Sequence, residues 1–149
     1  MTVTAGAYRS DYLGDGTQKA FAVGFQALEE ADLAVYLTDP ADTSTPVQLV
    51  RNTDFTVSGN LYGGTGQVNM TVAPALGFTV TILRSVVISQ ETHYEQYTDF
   101  PATSHERALD KLTMICQALK ENLNRAVLFP VGLSGSAIMD TTAFLDAAN

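Results

Sequence analysis

Groups able to do chemistry are few in this chain, and their spacing does not bring them together. The only histidines are His93 and His105. Two imidazoles cannot make a histidine-rich metal centre, and His105 falls in the first turn of a candidate helix, so both are expected at a surface or an interface. Cys116 is the single cysteine, which excludes an internal disulfide. It lies on an apolar stripe and reads as a small core residue rather than a nucleophile. Glu29 and Glu30 sit in a polar turn between strands and do not form a paired-carboxylate motif. Gly14-Asp15-Gly16 could hold a metal or a phosphate, but the same residues serve a tight turn that needs positive φ. "YGGTG" at 62–66 resembles a phosphate loop. It lacks the Lys-Ser/Thr pair and does not open a helix, so a hairpin loop is expected. No catalytic, cofactor-binding or metal residue is assigned, and the chain is read as a non-enzyme, a small enzyme being a remote alternative.

Composition narrows the classes further. The 149 residues fit one domain plus an extension, and 46% are hydrophobic, enough for a real core. Charged residues make up 16%, below the roughly 25% usual for a soluble domain. So little charge suggests surface hidden against partners. The net charge is −8, and residues 1–100 hold eleven acidic groups against four basic ones. Such a surface repels phosphate, so nucleic acid is not an expected partner. The N-terminal residues contain no signal-peptide core, and no run reaches the about 18 apolar residues of a membrane span. The expectation is a soluble product of the cytosol with no membrane contact through this segment.

The elements that must position these groups read as strands first and a helix last. "KAFAVGF" puts Phe21, Val23 and Phe25 on one strand face, and "DLAVYLTD" does the same with Leu33, Val35 and Leu37. Shorter runs follow at 47–50, 54–57 and 67–72, and the longest, "FTVTILRSVVI", at 78–88. Its Phe78, Val80 and Ile82 should face the core, with Thr79 and Thr81 opposite. Turn formers separate the runs: Gly14–Gly16, Asp39-Pro40, Ser58–Asn60, Gly63-Gly64 and Gly77. The fold class expected is mainly β, α+β overall: a small antiparallel sandwich or barrel-like domain over 1–102, wet on one face, then one long helix over 103–127. Residues 128–149 read as a linker toward a downstream shaft, as though the chain were part of a longer protein.

The helix carries a start signal. Thr103 and Glu106 fit a T-x-x-E capping box. About 23 residues at 1.5 Å each make a rod of roughly 35 Å. Along it Leu109, Leu112, Cys116, Leu119, Leu123 and Ala126 recur at intervals of 3, 4, 3, 4 and 3. That is the 3.5-residue period of a coiled-coil seam. An ordinary amphipathic helix packed on its own sheet competes with that reading, since the stripe spans fewer than three heptads. A wide stripe could also serve both, with one edge on the sheet and one on neighbouring copies.

Four segments in order carry a family resemblance: "YLGDGTQKAFAVGFQALEEADLAVYL" at 12–37, "DFTVSG" at 54–59, "APALGFTVTILRSVVISQ" at 73–90 and "FPATSHERALDKLTMICQALKENLNRAV" at 100–127. Together they resemble the N-terminal, virion-anchoring domain of tail fibres and tailspikes from short-tailed phages of the T-seven type. The resemblance implies a structural protein of the virion tail. It implies a homotrimer, attached to the tail adaptor and nozzle proteins, with host attachment performed by domains downstream. Another virion structural subunit built on the same domain, such as an adaptor or decoration protein, is the alternative. The low charge and the turn loops together suggest a docking surface on the β domain, at Gly14, Asp15, Gly16, Asp39, Asp42 and Gly63.

Overall fold

The computed structural model describes residue 3, residues 7–89 and residues 102–126. Seven strands and one long helix follow in chain order: β1 (Arg9–Leu13), β2 (Ala20–Ala22), β3 (Leu33–Asp39), β4 (Asp42–Gln48), β5 (Phe55–Asn60), β6 (Thr65–Met70), β7 (Thr79–Arg84) and α1 (Ala102–Asn124). They make two antiparallel sheets, of order β1-β7-β3-β4 and β2-β6-β5. The sheets stay separate, so the domain is a sandwich and not a closed barrel.

Alternation explains the packing. In the first sheet Val35 pairs with Ile82 and Tyr12 with Val80; in the second Phe21 and Val57 both oppose Val68. Every second residue therefore points into the space between the sheets. Phe21, Val35, Val68, Val80 and Ile82 are fully buried there, and Phe55 is nearly so. Each of the two phenylalanines contributes about 1.5–3 kcal/mol by leaving water. Phe21, Val23 and Phe25 share the core face as their spacing requires, although the ladder of β2 covers only the first of them.

Three strands differ from expectation. β1 is unforeseen, because Tyr12 is the only large core-directed side chain of "RSDYL", its ring packing on Phe21 with centroids 5.4 Å apart. β4 starts at Asp42, five residues before the apolar run; every residue in it is exposed, so apolar content could not mark it. It is an edge strand, where Pro46 is tolerated. β7 stops at Arg84 instead of continuing to Ile88: the Ser85 N–H still bonds the Asp32 carbonyl at 2.7 Å, in register with the Leu33–Arg84 pair, but Asp32 closes a 3-10 turn and β3 offers no partner before it. The outer face of the first sheet is also less wet than expected. Thr81 is buried and donates its hydroxyl to the Asp11 carboxylate at 2.6 Å.

The helix starts at Ala102, one residue ahead of Thr103, which places Thr103 in the first turn and not before it. Thr103 and Glu106 are both exposed. The helix is described to Asn124 and the chain to Ala126. His93 and the 128–149 segment lie outside the described residues.

Candidate functional site

The helix is bound to the sandwich by the face opposite its leucines. Asp110 and Met114 are buried, and Gln117 and Glu121 are half-buried. Each stands two residues from a member of the leucine stripe, and two residues turn a helix by about 200°. Contacts on this inner face are mostly polar. The Tyr62 hydroxyl and the Val3 N–H both donate to the Asp110 carboxylate. The hydrogen bond to Asp110 is the main reason the Tyr62 phenol is pushed up to about 12. Arg84 donates to Gln117 Oε1 at 2.6 Å and lies over the Phe25 ring. Its burial lowers its pKa, while the charge of Asp32 acts the other way. Glu121 lies between Arg9 and Arg125, at 3.9 and 3.4 Å. Met114, fully buried, and Ile115, also buried, are the apolar part of the contact.

The stripe itself faces outward. Leu109, Leu112, Leu119 and Leu123 are each about half exposed, between 46% and 57%. Cys116 is exposed as well, which corrects its reading as a core residue: it sits on the stripe, but the stripe is not the face that meets the sheet. Ala126 is exposed at the far end. Of the two competing accounts of the periodicity, packing on the chain's own sheet fails for these residues. Among the described residues an apolar band from Leu109 to Ala126, about 26 Å long at 1.5 Å per residue, is left largely uncovered, with Leu119 at the rim of a groove beside the sheet.

The six candidate docking residues divide between the two ends of the sandwich. Gly14, Asp15, Gly16, Asp39 and Asp42 gather at the end away from the helix. There the Gly14 N–H donates to the Phe78 carbonyl at 2.7 Å, Gly16 N–H to Pro74 at 2.9 Å, and Gly77 N–H to Gly14 at 3.1 Å. A Cβ on Gly14 would come within 2.5 Å of the Ala75 oxygen, so only glycine allows this approach. Gly77 lies against Pro40, which brings the β3–β4 hairpin into the same cluster. Gly63 is at the opposite end, beside Tyr62 and the helix. "YGGTG" there forms the β5–β6 connection, and the Gly63 N–H is held by Asn60 Oδ1 at 2.8 Å.

An open groove of about 680 Å³ runs between the outer face of the first sheet and the C-terminal half of the helix. Its one carboxylate, Glu121, is engaged by two arginines, and neither histidine nor cysteine lines it. Among the described residues no group of three His, Cys, Asp or Glu side chains could hold a metal, and no helix is long and apolar enough to cross a membrane.

The arrangement is a sandwich with one helix held against it, and an apolar band left on the helix's outer face. The chain is related in sequence to a segment of a phage tail spike. It is 33% identical over 130 residues to the tail spike protein of Salmonella phage epsilon15, a match covering 87% of this chain and 12% of that protein. The chain thus spans about an eighth of the length of that relative. No protein-family model matches it.

Proposed function

We propose that this chain is the anchor domain of a trimeric tail spike or tail fibre, joining a receptor-binding shaft to the virion tail through adaptor and nozzle proteins. The observation that carries the reading is the outward leucine band on a helix whose opposite face is already occupied by its own domain. Three such helices on a threefold axis would bury their bands against one another, with the sandwiches around the outside. The likeness to a phage tail spike supplies the setting. Binding, not catalysis, is the activity, and the receptor is left to regions outside this chain. Purified chain added to phage particles lacking it should sediment with the particles. Chain that stays in the supernatant at every concentration would remove the anchor reading while leaving the trimer untouched.

A further inference from the structure

The end of the sandwich away from the helix carries a feature that a solvated loop does not need. Ala75-Leu76-Gly77-Phe78 is a turn closed by the Phe78 N–H to the Ala75 carbonyl at 3.1 Å, with Gly77 at φ +88° in the third position, the arrangement of a type II turn. Leu76 therefore stands at the corner, 78% exposed. Turn corners favour Pro, Gly, Asn, Asp and Ser for local reasons, and a leucine serves none of them. The turn is also braced. Gly14 donates to the Phe78 carbonyl and accepts from Gly77, and Pro40 stands beside Gly77. Val72, at 74%, and Leu13, at 66%, are exposed on the adjoining segments. Around them lie Asp15, Asp39 and Asp42. The Gln18 and Thr17 N–H groups lower the pKa of Asp15, and the Ser44 and Thr45 hydroxyls lower that of Asp42, so both stay charged in mildly acidic solution.

We infer that Leu76, held rigid in this turn, is the plug by which the sandwich docks into an apolar pocket rimmed by Lys and Arg on a second virion protein. A preorganised apolar knob loses little entropy on binding, and an acidic surround steers it toward a basic partner. A second copy of this chain is a poor match, since its surface is itself acidic overall. The inference rests on the anchor reading and specifies its surface.

The test adds full chain to phage particles that lack it and measures the bound fraction. Leu76→Asp and, separately, Val72→Asp should each lower affinity, the first by roughly thirtyfold or more as for a central anchor. Circular dichroism and oligomeric mass should stay as in the wild type, because both residues are exposed. Thr65→Lys at the other end of the sandwich should bind as the wild type does. Replacing Asp15, Asp39 and Asp42 by Asn keeps their hydrogen-bond acceptors and should slow association at low salt only. Wild-type binding that survives Leu76→Asp unchanged would overturn the plug. Loss of binding in Thr65→Lys would place the contact at the wrong end of the molecule. Wild-type chain that never binds would reject the anchor reading itself.

Discussion

At the residue scale the clamp between helix and sandwich is unusual in being polar. Tyr62, Arg84 and Arg9 reach across to Asp110, Gln117 and Glu121, with only Met114 and Ile115 as buried apolar residues of the helix. A phenol whose pKa rises from 10.0 unfolded to about 12 folded favours the folded state while it is protonated. Its contribution is complete below pH ~10 and is lost as the pH climbs toward 12. Unfolding midpoints of the wild type should therefore fall across that interval more steeply than those of Tyr62→Phe. Equal slopes would mean that the Tyr62–Asp110 bond does not hold the helix. None of these partners was readable from the chain alone. Asp110, Gln117 and Glu121 are ordinary polar residues of an amphipathic pattern, and Tyr62 lies in a loop resembling a phosphate cradle. What made them a binding face was a fold that placed Arg84 and Tyr62 under the helix.

At the element scale, period-two alternation marked β3, the core face of β2 and most of β7 correctly, because those residues bury apolar side chains. β1 escaped notice, and β4 was marked only at its last two residues, since edge strands are held by backbone pairing and need little apolar content. The helix was legible as an element, and its 3-4 spacing correctly singled out one face. Spacing could not say what covered that face, and the expectation that Cys116 would be buried failed for this reason. The exposed thiol now makes a useful probe. Three helices in register would bring their Cys116 side chains into one layer. A trifunctional maleimide should then join the wild-type chain into covalent trimers at dilute protein concentration. Modification giving only single-chain adducts would place the cysteines too far apart for a parallel seam.

At the scale of the whole molecule the two apolar surfaces lie at separate places and suit separate tasks. The leucine band runs along the outside of the helix, where copies of the chain would meet. Leu76 stands at the far end of the sandwich, where a different protein would be reached. A chain with 16% charged residues can remain ordered with both surfaces uncovered only if its core is closed elsewhere, as the buried cluster of Phe21, Phe55 and Ile82 provides. Trimerisation through the band is the claim on which the rest depends, and light scattering of the wild type beside a Leu112→Asp/Leu119→Asp double variant tests it most directly. In a seam, burying those carboxylates would cost several kcal/mol. On the free protomer both positions are about half exposed, so the sandwich and helix should stay folded. The expected result is a wild type of three times the 15.9 kDa chain mass and a folded double variant of single-chain mass. A wild type that remains at single-chain mass at high concentration, or a double variant that remains trimeric, would contradict the account.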